Sequence, residues 1–220
     1  AYYALRHLVR QGKKTKLPVT FLFIPEEEVG SPTSRARIEE AARGHKYALV
    51  MEPGRDGDKV VTSRKGVGRF TLTVKGRASH SGVRHEDGRS AIAEMARQII
   101  RIEGKTDYAR GITCNVGLIQ GGTGVNVVPA ECRVDVDLRV PSPQLAEEMT
   151  HWFLNLEPIG KDVTLTVEGE MNRPPYQKDA GIAALFGKAQ AIYREIGKDL
   201  QDVPLDRKST RLNSSHITIS

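Results

Sequence analysis

The residues best suited to chemistry first gather in FLFIPEEEVGS, Phe21 to Ser31, where Glu26, Glu27 and Glu28 directly follow an apolar run closed by Pro25. Three adjacent carboxylates repel one another and favour protonation of one, unless a cation sits among them or one serves as a base near neutral pH. A solvated acidic loop has the same composition. Glu52 repeats the setting in KYALVMEPGRDGD, where it closes a second short apolar run together with Pro53. Two such carboxylates suit a hard or borderline cation such as zinc and would leave Glu27 free as a base. Downstream stand His80 in the turn-like GRASHSG, Asn126 in GGTGVNVVPA and Arg139 in DVDLRVP. Taken singly, each has a plainer reading: an exposed turn histidine, a glycine turn, and an arginine paired with Asp135 or Asp137 on a strand's polar face.

The elements that must position these groups follow from hydrophobic period. Val19 to Ile24 and Tyr47 to Met51 read as short buried strands, and Ser31 to Gly44 between them reads as a helix. That order predicts a βαβ unit with parallel strands, putting Glu28 and Glu52 on one sheet edge, where ligands bind in open α/β sheets. From Lys65 the period changes. Phe70, Leu72 and Val74 alternate with polar residues, as do Ile112 to Leu118, Val134 to Val140 and Val163 to Val167. Helical stripes run through Ile92, Met95, Ala96, Ile99 and Ile100, and through Leu145, Met149, Trp152, Phe153 and Leu156. The order βαββαβ predicts a ferredoxin-like unit with helices on one face of a four-stranded sheet. After Met171 the chain is expected to return to the first domain, with a helix over Asp179 to Gly197. The predicted division is therefore 1–64, 65–172 and 173–205. Residues 206–220, DRKSTRLNSSHITIS, lack any hydrophobic period and read like a translated sequencing adapter, so they are set aside as a non-native tail.

PEEEVGS, a helix and then MEP resembles the zinc aminoacylase and carboxypeptidase family that includes glutamate carboxypeptidase, acetylornithine deacetylase and succinyl-diaminopimelate desuccinylase. The resemblance implies an α/β fold: a partial zinc-peptidase catalytic domain carrying an inserted ferredoxin-like (βαββαβ) dimerisation domain. It implies that Glu27 is the general base acting on a water between two zinc ions, and that Glu28 and Glu52 are metal ligands. GRASHSG resembles the family's Gly-Lys-x-x-His-x-(Gly/Ala), so His80 would reach the partner subunit's active site and stabilise the oxyanion. GGTGVNVVPA and DVDLRVP match stretches that make Asn126 and Arg139 substrate-binding. The expected reaction is hydrolysis of an amide bond next to a free carboxylate. A glutamate carboxypeptidase-like activity is favoured over N-acyl amino acid deacylation, with a non-catalytic dimerising relative as the alternative of another class. The family's His-x-Asp, its metal-bridging Asp, its Gly-Gly-(Ser/Thr)-Asp stretch and its final metal-binding His have no match here. The chain is thus expected to be cut short at both ends, inactive and weak in zinc binding by itself.

Composition limits the partners. The net charge is +6, part of it carried by Arg207, Lys208 and Arg211 of the tail, which is too mild to argue for nucleic acid. RNA-binding domains share the βαββαβ order, but they stack bases on strand aromatics. Here Phe70 alone is aromatic on the predicted strand faces. No run is long and apolar enough to span a membrane. Cys114 and Cys132, at no metal-ligand spacing, read as buried free thiols and lean towards a cytoplasmic location; the absence of a signal peptide says nothing, because Ala1 opens in mid-helix pattern. The expected partners are a second copy of the chain and a small peptide or N-acyl amino acid.

Overall fold

The computed structural model describes residues 1–26, 31, 33–51 and 59–205. In chain order the elements are α1 (Tyr2–Arg10), α2 (Arg35–Arg43), β1 (Val60–Arg64), β2 (Gly66–Lys75), β3 (Ser79–His80), α3 (Ala91–Glu103), β4 (Thr113–Gly121), β5 (Val127–Val128), β6 (Glu131–Val140), α4 (Pro143–Leu154), β7 (Thr164–Arg173), α5 (Ala180–Glu195) and β8 (Asp202–Leu205). They divide into two compact units, Ser63–Gln177 and the remainder on either side.

The Ser63–Gln177 unit is an antiparallel sheet in the order β4-β6-β2-β7. Together with α3 and α4 this is the βαββαβ arrangement that the alternating periods predict. Antiparallel sheets can leave one face to solvent, and this one does so by strict alternation. Phe70, Leu72 and Val74 of β2 and Val134, Val136 and Leu138 of β6 are buried among Met95 and Ile102 of α3 and Met149 and Phe153 of α4. Each such side chain contributes roughly 1.5–3 kcal/mol by leaving water. Phe70 and Phe153 stack with ring centroids 4.3 Å apart, locking α4 onto the sheet. Both helices open on serine caps: Ser90 accepts from Ala93 N at 3.1 Å and Ser142 from Leu145 N at 3.2 Å. Inside, Glu94 is 1% exposed. Its carboxylate accepts from Ile159 N and Gly160 N at 2.8 Å, from Gln98 Nε2 at 2.8 Å and from Arg97 Nη1 at 3.1 Å, tying the segment before β7 to α3. Burial works to raise the Glu94 pKa, but these donors outweigh it and hold the group below the usual carboxylate range.

The other unit is thinner. Val60, Phe186 and Leu200 form its small core, β1 pairs with β8, and Asp202 accepts from Lys178 Nζ at 2.7 Å and Thr62 Oγ1 at 2.5 Å. α2 forms inside the predicted helical stretch. The flanking strands do not. Among the described residues Val19 to Ile24 has no ladder partner, with Phe23 85% exposed, and in the second run Leu49 makes only an isolated bridge. The βαβ ladder is thus not formed among the described residues; parallel strands are stable when covered on both faces, and much of the first run is exposed.

Candidate functional site

His80 is positioned by main chain. Gly76 N donates to Ala130 O at 2.8 Å, and Arg77 and Arg89 exchange two backbone bonds of 2.9 Å each. Gly76 has to be glycine, since a Cβ there would lie 2.0 Å from Arg89 O. The strand then pairs Ser79 with Val128 and His80 with Val127. Ser81 N donates to Asn126 O at 3.0 Å, so His80 and Asn126 become backbone neighbours on exposed loops. Gly82 N donates to His80 Nδ1 at 3.2 Å. A backbone N–H can only donate, so Nδ1 is the acceptor and the neutral ring carries its proton on Nε2.

Arg139 is positioned differently. It lies on the solvent face of β6, in a long regular ladder, and is opposed by Val67 on β2 and Thr113 on β4. Asp137, two residues earlier and on the same face, accepts from Arg139 Nε at 2.6 Å and from Nη2 at 3.1 Å. Arg69 Nη1 reaches the same carboxylate at 3.1 Å. Asp135 is held by Thr71 Oγ1 at 2.6 Å and Arg133 Nη2 at 3.3 Å, and the Thr71 hydroxyl in the first place holds its carboxyl below the usual range. Arg69, Thr71, Asp135, Asp137 and Arg139 line a shallow concavity of about 590 Å³ on the open sheet face.

Of the predicted site residues, the structure brings His80 and Asn126 together and keeps Arg139 away from both. The ladder runs from Arg139 opposite Val67 to Glu131 opposite Lys75, eight residues on, and the chain turns towards His80 beyond that end. At about 3.3 Å per residue the sheet alone separates the two ends by roughly 26 Å. Glu27, Glu28 and Glu52 lie outside the described residues. Glu26, their neighbour, holds the turn that leads into α2: its Oε1 accepts from Thr33 N and Oγ1 at 2.8 Å and from Ser34 N and Oγ at 2.7 Å. The Ser34 hydroxyl is the main cause of its lowered pKa. Among the described residues no group of three His, Cys, Asp or Glu side chains is gathered as for a metal. Cys114 and Cys132 are free and buried, and burial pushes the Cys114 thiol up to about 12. Sequence reasoning missed Arg69. Its signal was the two-residue period that places it on the same face as Thr71.

The peptidase dimerisation domain family, M20_dimer, matches residues 62–155. Carboxypeptidase G2 of Pseudomonas sp. (strain RS-16) is 28% identical over 204 residues, covering 90% of this chain and 48% of that protein. Acetylornithine deacetylase of Myxococcus xanthus is 31% identical over 144 residues, covering 60% and 37%. Among solved structures, aminopeptidase PepT of Bacillus cereus ATCC 10987 superposes with a TM-score of 0.58 at 20% identity, over 74% of this chain and 45% of that one. The chain spans about half the length of the curated relatives it matches. Residues 62–155 thus match the M20 peptidase dimerisation domain, and the chain is similar to carboxypeptidases and deacetylases that carry such a domain.

Proposed function

We propose that the chain is part of a homodimeric hydrolase that cleaves an amide bond next to a free carboxylate, with a glutamate carboxypeptidase-like substrate. The observation that carries this reading is the separation of the two substrate-facing sets: His80 with Asn126 at one end of the sheet, Arg139 at the other. Roughly 26 Å is too far for one small substrate, so each active site takes His80 and Asn126 from one copy and Arg139 from the other. Glu27 takes a proton from the attacking water and passes it to the leaving amine. His80, presenting Nε2–H, stabilises the oxyanion, and Arg139 receives the substrate carboxylate. The deacylase reading uses the same bond and the same groups, and the Myxococcus xanthus relative keeps it as the second choice.

Edge strand β4 and helix α3 offer the surface for the second copy. Leu118 and Ile119 on β4 and Ile100 on α3 are all more than half exposed. An unpaired edge flanked by apolar side chains is what a second sheet edge extends.

Two zinc ions remain the proposed cofactor of the complete protein, with Glu28 and Glu52 among the ligands. Two carboxylates alone do not complete such a site, because zinc centres of this kind also take nitrogen ligands. The chain by itself therefore binds zinc weakly. Tight, stoichiometric uptake in a zinc titration would overturn that.

Mixing variants of the complete protein tests the shared site. His80→Ala and Arg139→Ala are each expected to lose at least about a hundredfold in kcat/KM. When the two are mixed and subunits allowed to exchange, activity returns to about a quarter of wild type, because half the dimers are mixed and each holds one intact site. No recovery despite demonstrated exchange would sink the shared-site reading. Wild-type activity in both single variants would remove His80 and Arg139 from the site, and a complete protein without hydrolase activity would leave a binding protein.

A further inference from the structure

We infer that Asp137 is a positioning residue for Arg139, and that Arg69 completes the device by cancelling the charge Asp137 brings. The inference rests on the reading of Arg139 as the receiver of the substrate carboxylate.

Asp137 grips one edge of the Arg139 guanidinium, with Oδ1 on Nε at 2.6 Å and Oδ2 on Nη2 at 3.1 Å. That leaves the Nη1–Nη2 edge as the one to offer a second bidentate partner. Arg139 is 40% exposed along its side chain, and a long side chain at such a site is otherwise free to sample many rotamers. The grip removes that freedom before substrate arrives, which is how preorganisation raises affinity.

A bare carboxylate beside Arg139 would also repel an incoming carboxylate. Arg69 answers this. It stands directly opposite Asp137 on β2, and its Nη1 lies 3.1 Å from Asp137 Oδ2. Two guanidinium groups on one carboxylate leave a single positive charge. The nearest other carboxylate on β6, Asp135, is occupied by Thr71 and Arg133, while Glu168 lines the far side of the concavity. Asn115, opposite Asp137 on β4, closes the row with a neutral amide.

The test uses the complete protein with a substrate ending in a free carboxylate and the same compound as its carboxamide. Asp137→Asn is expected to raise KM for the acid about tenfold with kcat within about twofold, so that the acid-over-amide preference falls. Asp137→Glu recovers part of the preference. Arg69→Gln raises KM for the acid about threefold and leaves the amide alone. A lower KM for the acid in Asp137→Asn would overturn the inference, because Asp137 would then be a competitor. So would an unchanged preference in Asp137→Asn while Arg139→Ala abolishes it, in which case the reading of Arg139 stands. If Arg139→Ala itself leaves the preference intact, that reading falls and the inference with it. Should Asp137→Asn fail to fold, Asp137→Glu and Arg69→Gln decide: a wild-type KM for the acid in both overturns the proposal.

Discussion

The two ends of the dimerisation-domain sheet hold their chemical groups by opposite means. At the His80 end, regular structure is only a two-residue ladder, and position comes from backbone bonds and from Gly76. At the Arg139 end the backbone is a ten-residue strand inside a complete ladder, and it is the side chain that needs holding. A group on a loop is thus fixed by main chain and by residues that permit close approach. A group on a strand is fixed by charge partners on the same face. The first kind of support fails through packing and the second through electrostatics.

That difference can be broken experimentally. Gly76→Ala should have the largest effect on stability, since the new Cβ would lie 2.0 Å from Arg89 O and the backbone must move. A loss of about 3 kcal/mol or more is expected. Thermal unfolding measures it, and in the complete protein turnover should fall while the preference for carboxylate over amide survives. A parallel loss of that preference would show that the two ends are not independent.

Glu94→Ala comes next. It leaves Ile159 N and Gly160 N without their acceptor, and should cost about 2–3 kcal/mol in denaturant unfolding. Its pH behaviour sharpens the point. The folded-state pKa lies below the ordinary 4.5, so this contribution is fully present above pH 4.5 and is lost as pH falls through the lowered value. Wild type should therefore lose its advantage over Glu94→Ala in acid. An advantage that persists undiminished well below pH 4.5 would show that packing, not charge, carries it.

Much of the Ser63–Gln177 unit was legible beforehand. Its strands are antiparallel with one face in water, so apolar and polar residues alternate, and Phe70, Leu72, Val74, Val134, Val136 and Leu138 announce both the strand and its buried side. The α3 stripe was equally clear, and the helix opens on Ser90, whose hydroxyl supplies the cap. The apolar run from Val19 to Ile24 misled for a related reason. Composition reports that a segment prefers burial, but burial itself depends on neighbours from elsewhere in the fold.

The amino-acid sequence by itself determined the candidate residues and the family resemblance: the order of GRASHSG, GGTGVNVVPA and DVDLRVP needs no coordinates to be read. Only the tertiary structure decided which of them meet. Residues 80 and 126 are far apart in sequence yet adjacent through a short ladder, whereas 126 and 139 are close in sequence yet stand at opposite ends of a sheet. An extended strand carries the chain away at about 3.3 Å per residue, while pairing between strands brings distant positions within hydrogen-bonding reach. The choice of Asp137 over Asp135 as the partner of Arg139 follows from the same rise, because Asp137 is next to it on the solvent face while Asp135 stands roughly 13 Å along the strand, held by Thr71 and Arg133.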